Sequence, residues 1–174
     1  MAHDEKIMEL MNQLVYATKH DIGDLMAHKR IWTAGPSTIN NSYKELNNQV
    51  DAGTLEKGGD YFKLRGAKGD HKEHSRLITA ELIKILKLNY QTKIFRECLI
   101  EDVRLIPDAI IMTIDVDKVA VWILEVMHNE TQEYFEMKLR TWENWPEAKD
   151  YLSKLFNIKV QSFNIINKAE EVNQ

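Results

Sequence analysis

A chain of 174 residues with 44% hydrophobic residues and four Trp can build one ordinary domain or two small ones, and it is not a disordered chain. Its formal net charge of −4 excludes a broadly basic nucleic-acid coat, while leaving room for a local basic face. No early segment resembles a signal peptide and no apolar run approaches membrane-spanning length, so the expectation is a cytoplasmic protein with no membrane partner. The first element is a helix over Asp4 to Ala17, with Ile7, Met8, Met11, Leu14 and Val15 at helical spacing. Thr18 is a good N-cap for a second short helix, whose apolar stripe is Ile22, Leu25 and Met26. Gly35-Pro36-Ser37 punctuates, and Pro36 suits the start of a third helix reaching about Val50, with Ile39, Tyr43, Leu46 and Val50 on one face. Thr54 to Lys57 and Tyr61 to Leu64, joined by Gly58-Gly59-Asp60, read as a β-hairpin.

Three helices followed by a hairpin resemble a winged helix-turn-helix domain, most clearly in Asn47 to Leu64, where a helix ends in Val-Asp-Ala-Gly before a short hairpin. The resemblance covers residues 4–65 and implies a DNA-binding domain over 1–66. The second helix of such a motif enters the major groove with residues near its start. Here those are Ser37, Thr38, Asn40, Asn41 and Lys44. Asn can pair bidentately with adenine, and Ser and Thr reach phosphates or bases. Lys29 and Arg30 before the helix, and Lys57, Lys63, Arg65 and Lys68 on or after the wing, can form a basic rim. Residues 1–70 hold nine Lys+Arg against ten Asp+Glu, so the arrangement of charge matters more than its sum. Asp4, Glu5, Glu9, Asp21 and Asp24 lie in the first two helices. A single Lys inside the third helix, beside Glu45, keeps a protein-interaction adaptor as an alternative.

Gly66 to Asp70 is a short polar linker. A strongly apolar helix follows over about Lys72 to Leu88, with Glu81, Lys84 and Lys87 as its narrow polar stripe. Strand-like runs are Lys93 to Ile100, Arg104 to Ile114 and Lys118 to Met127. The single cysteine, Cys98, lies in the first of them, excludes an internal disulfide and reads as a buried inert thiol. Thr131 to Trp145 reads as an amphipathic helix closed by Pro146, Glu147 to Leu155 as a further helix, and Ile158 to Ile166 as a last strand. The polar end, 169–174, is expected to fray.

Two apolar strand runs each carry one acid, Asp108 after Ile106-Pro107 and Glu125 in Leu124-Glu125-Val126, where burial makes a charge costly. This Pro-Asp … Glu-x-x pair resembles the active-site hairpin of the PD-(D/E)xK nuclease fold. That resemblance implies carboxylates converging on Mg²⁺ and a lysine two residues past the second acid, where this chain has Met127. Lys138, between Tyr134 and Trp142 on the following helix, is a candidate substitute, and Glu81 a candidate third oxygen. Catalytic candidates are therefore Asp108, Glu125 and Lys138, with Asp108 and Glu125 as Mg²⁺ ligands if the site is active and no cofactor otherwise. The bland reading, which we favour, is a buried polar cluster in a scaffold that no longer cuts. Glu81 is then part of a solvated stripe with Lys84 and Lys87. His71 and His74, at i, i+3, lack the further ligands a zinc site needs. His128, next to the second acid, is a weaker candidate for the same site.

The order helix–strand–strand–strand–helix–strand over 71–168, behind a winged helix, resembles the plasmid replication-relaxation family of mobile elements. His71-Lys72-Glu73-His74, Ile106-Pro107-Asp108-Ala109, Leu124-Glu125-Val126 and Lys138-Leu139-x-x-Trp142 carry that resemblance. The expected fold class is α+β in two domains, a winged helix-turn-helix followed by an αβββαβ nuclease-like domain. The resemblance implies a DNA-binding regulator or accessory factor of plasmid or phage replication, mobilisation or transcription. Its expected partners are double-stranded DNA, a second copy in a homodimer using Trp142, Trp145 and the last strand, and a replication or mobilisation protein. A Mg²⁺-dependent endonuclease is the alternative enzyme reading.

Overall fold

The computed structural model describes residues 3–67, 72–88, 90–116 and 118–173. Lys68, His71, the end of the expected linker and Asp117 lie outside the described residues. The chain divides into two compact units, Met1–Leu88 and Asn89–Gln174. Each combines helices with one small sheet, so the architecture is α+β in two units. No helix among the described residues is long and apolar enough to cross a membrane.

The first unit begins with α1 (His3–Leu14), β1 (Tyr16–Thr18) and α2 (Lys19–His28). The single helix expected over 4–17 stops at Leu14, because Val15 takes a left-handed φ of 62° and releases Tyr16–Thr18 as a strand. Thr18 caps α2 as its sequence predicts. Its hydroxyl accepts from Asp21 N–H at 3.2 Å while the Asp21 carboxylate accepts from Thr18 N–H at 2.7 Å, a reciprocal box. Then come α3 (Pro36–Asp51) and the hairpin β2 (Leu55–Gly58) and β3 (Tyr61–Leu64). β3 pairs antiparallel with both β2 and β1, giving the order β1-β3-β2.

Close packing sets the position of α3. A Cβ added at Gly23 would fall 2.9 Å from Ile39 Cδ1 and 3.1 Å from Ser42 Oγ, so α2 meets α3 where only glycine fits without a shift. Leu10, Leu25, Leu46 and Phe62 bring the helices and hairpin into one core, each side chain contributing roughly 1.5–3 kcal/mol by leaving water.

α4 (Lys72–Leu86) belongs to this first unit, beyond the boundary that the polar linker suggested. It packs on β1 and α2. Thr79 Oγ1 donates to the Tyr16 carbonyl at 2.9 Å, Arg76 reaches both oxygens of Asp60, and Lys87 pairs with Asp24. Its apolar stripe, Ile78, Leu82 and Ile85, is buried here.

The second unit contains β4 (Gln91–Arg96), β5 (Ala109–Asp115), β6 (Lys118–Leu124), α5 (Gln132–Asn144), α6 (Ala148–Phe156) and β7 (Asn164–Ile166). The sheet order is β4-β5-β6-β7, antiparallel except for the last pair, where β7 runs parallel to β6 after the two-helix crossover. The strands are shorter than the apolar runs. Left-handed residues Glu97 and Arg104 turn the chain between β4 and β5, and the long final run pairs only at Asn164–Ile166.

Trp142 and Trp145, ring centroids 5.8 Å apart, lie inside the core with Ile110, Val121 and Ile123. They are therefore not available as dimer anchors. Cys98 is half-buried, and loss of water raises its thiol above the usual range. The expected frayed tail is instead a 3₁₀ turn, Ala169–Asn173, with Ala169 and Val172 buried. Glu171 Oε1 holds it by accepting from the N–H groups of Asn167 and Lys168 at 3.1 and 3.0 Å.

Candidate functional site

Two groups of polar side chains answer to the sequence candidates, one in each unit. On α3, Ser37, Asn40, Asn41 and Lys44 are exposed. None of the four makes a side-chain hydrogen bond or ion pair among the described residues. Thr38 differs from them. It is buried and its hydroxyl donates to the Thr33 carbonyl at 2.6 Å, closing the loop before the helix rather than facing outward.

The cations divide as well. Lys63 is held across the hairpin by Glu56 at 3.2 Å, as their opposed positions in the β2–β3 register require. Arg65 lies over Gly53, its guanidinium carbon 3.7 Å from where a Cβ would sit. Lys29 feels α1: partial loss of water and then Lys6 draw its ammonium below the usual range, against the pull of Glu9. Arg30 is exposed with a left-handed φ of 55°.

Lys57 has the most developed setting. Its ammonium donates to the Tyr43 hydroxyl at 2.8 Å and to Asn47 Oδ1 at 3.3 Å, and stands 4.6 Å from the Tyr43 ring centroid. Lys19 approaches the same ring at 5.1 Å. The hydrogen bond from Lys57, and then its charge, lowers the Tyr43 phenol below its ordinary pKa. Sequence reasoning placed Tyr43 on the apolar face, gave Asn47 no polar role and passed over Lys19. Their four-residue and cross-element spacing becomes a cluster only once β2 is folded beside α3.

In the second unit the strand register brings Asp108 and Glu125 to one end of a hairpin. Ala109 pairs with Leu124, so the acids just outside that pair stand side by side. Glu125 N–H donates to the Ile166 carbonyl at 3.0 Å, and Val126 N–H to Asp108 Oδ2 at 2.6 Å. Thr131 caps α5, accepting from Tyr134 N–H at 3.2 Å, and sets a phase in which Phe135, Lys138 and Trp142 share the buried face. Lys138 Nζ thereby lies 2.5 Å from Glu125 Oε2, while Trp142 Nε1 donates to Oε1 at 3.2 Å. Lys138 and Glu125 thus form an ion pair out of water. Met127 points outward and is 45% exposed. The lysine beside the acid thus comes from the following helix.

Electrostatics follows from burial. Glu125 has no exposed surface, and this desolvation raises its pKa to about 7 although Lys138 pulls it down. Desolvation works against the Lys138 ammonium, but Glu125, Asp108 and more distant Glu130 outweigh it and hold the lysine above its ordinary value. The acid is therefore the member of the pair whose charge is weakly held.

This donor set does not fit a divalent cation. Both Glu125 oxygens face protein donors, Asp108 Oδ2 is taken by a backbone N–H, and an ammonium occupies the space a cation would need. No group of three or more His, Cys, Asp or Glu among the described residues is placed to hold a metal. Glu81 is 2.8 Å from Lys84 within the first unit. His74 is half-buried on α4, and His128 is bound by the Asn129 amide at 3.0 Å. Compared with models of protein families, with curated proteins and with solved structures, the chain matches none.

Proposed function

We propose that the first unit is a winged helix-turn-helix that binds duplex DNA through α3 and the β2–β3 hairpin, and that the second is a nuclease-like scaffold that does not cleave. The observation carrying this reading is the outward, uncommitted set Ser37, Asn40, Asn41 and Lys44 beside the Lys57–Tyr43–Lys19 cluster. Amides and hydroxyls of this kind read base edges, and ammoniums neutralise phosphates. The order helix, strand, helix, helix, hairpin, with the first strand completing the hairpin's sheet, also supports it. By its resemblance to the replication-relaxation family, the protein acts as a regulator or accessory factor of a mobile element, as a homodimer.

The nuclease reading keeps one observation in its favour, the approach of Lys138 to Glu125 at the end of the Asp108 hairpin. One experiment separates the two. A supercoiled plasmid carrying the gene's own upstream region is titrated with protein in Mg²⁺ at moderate salt and run on native and deproteinised gels. A shift without nicks, lost in Asn41→Ala/Lys44→Ala, is expected. Nicks that vanish in Glu125→Ala would establish an enzyme, and neither shift nor nick would move the assignment to a protein adaptor.

A further inference from the structure

The first unit contains a cavity of about 210 Å³ walled by β1, β3 and α4. That is below the roughly 300–1,000 Å³ of drug-sized sites, so its occupant is small. Tyr16 and Tyr61 form an aromatic corner, ring centroids 6.4 Å apart at 46°, and Ala17 and Ala80 leave the space beside them open.

The polar groups around this corner are unequally committed. Thr79 spends its hydroxyl on the Tyr16 carbonyl. Arg76 is neutralised by Asp60, its Nη2 2.6 and 2.8 Å from the two carboxylate oxygens. Asp21, by contrast, bonds only to Thr18, and no cation lies within ion-pair distance of it among the described residues. Ser75 is buried, lines the cavity and has no hydrogen-bond partner for its hydroxyl among the described residues. The cavity is therefore lined by two tyrosine rings, one carboxylate with no cation beside it among the described residues and one hydroxyl with no partner among them.

We infer that this cavity binds a small organic cation, an apolar body carrying one ammonium group. The ammonium is held by the Asp21 carboxylate and the Ser75 hydroxyl, and the body fills the space between the tyrosine rings. Aromatic faces attract cations electrostatically and carboxylates pair with them, whereas an anion would meet Asp21 and find Arg76 already engaged. The site is independent of the DNA reading.

The test is calorimetric titration of the full chain at neutral pH with three probes of one shape: phenethylamine, 2-phenylethanol and phenylacetate. The amine is expected to bind at least about tenfold tighter than the alcohol, with phenylacetate weakest. Asp21→Asn, which keeps a capping acceptor, should remove the amine's advantage over the alcohol. Ala80→Leu should fill the cavity and abolish all binding. Should Asp21→Asn fail to fold by circular dichroism, the probe series and Ala80→Leu still decide. Tightest binding of phenylacetate, equal binding of amine and alcohol, binding that survives Ala80→Leu, or no binding at all would each overturn the inference.

Discussion

The exposed face of α3 and the buried end of the β5–β6 hairpin use the same kinds of side chain under opposite conditions. On α3, Ser37, Asn40, Asn41 and Lys44 stand in water with their donors and acceptors open. At the hairpin, Glu125, Lys138, Asp108 and Trp142 sit out of water, and each meets another protein group. Water access, more than residue type, divides the two. An open polar group can exchange water for a ligand at little cost, while a buried one answers mainly to the group beside it. The buried cluster is therefore a poor metal site even though its residues resemble one.

The largest effect should come from unpairing that cluster. Lys138→Ala is expected to cost about 3–5 kcal/mol of unfolding free energy in urea at pH 9, where Glu125 would lose the cation that compensates its charge. The cost should be less at neutral pH, where Glu125 can take up a proton. The double change Glu125→Leu/Lys138→Met should return to within about 1 kcal/mol of the parent or exceed it. A double variant as weak as the single one would mean the charges contribute more than their mutual satisfaction.

Next comes pH. The folded pKa of Glu125, about 7, lies above its ordinary 4.5, so the folded state holds the extra proton between these values. Stability should therefore fall as pH rises through that window, by up to about 3 kcal/mol from this group. Lys138, raised in the fold, acts at the other end. Its stabilisation is complete below the ordinary lysine range and is lost only as pH rises through the raised value. Glu125→Gln should flatten the profile between pH 4.5 and 7 and also weaken the alkaline limb, because Glu125 is the main charge that raises Lys138. An unchanged slope would place the titration elsewhere.

On the exposed side, Lys57→Ala should weaken DNA binding on all sequences alike. It should also reduce the slope of log affinity against log salt by about 0.9, the signature of one lost phosphate contact. Smallest of all, Thr38→Val should cost about 1 kcal/mol of stability and leave DNA sequence preference unaltered, because its hydroxyl serves the Thr33 carbonyl. A changed preference would return Thr38 to the reading face.

Much of this was legible in the sequence because the signals were local. Thr18 as a cap, Pro36 at a helix start, the Gly58-Gly59 turn and the single acids in apolar runs all act within a few residues. Lys138 beside Glu125 followed from helical phase on an apolar face, and the structure brings the two together. What escaped depended on distant partners. β1 is three residues long and exists because β3 lies beside it, so no run of its own announces it. α4 followed a polar linker, which suggested a boundary, yet its apolar stripe is satisfied within the first unit. The tail looked polar, but Ala169 and Val172 are buried and Glu171 closes the turn. Thr38 could be told from Ser37 only by knowing which way α3 is rolled, and that is set by its packing on other elements, α2 at Gly23 among them.

One pairing has a bearing on how the second unit is made. β6 lies beside β7 in parallel, so Leu124 must wait for Ile166, with α5 and α6 between them. Contacts so separated along the chain slow folding and form late. During synthesis the β5–β6 hairpin can close early, but the carbonyl that receives Glu125 N–H does not yet exist. A ribosome-bound chain halted before β7 would therefore leave the Glu125 N–H without its acceptor, although Lys138 and Trp142, the partners of its carboxylate, are already made. The backbone bond, and not the ion pair, is what waits for β7.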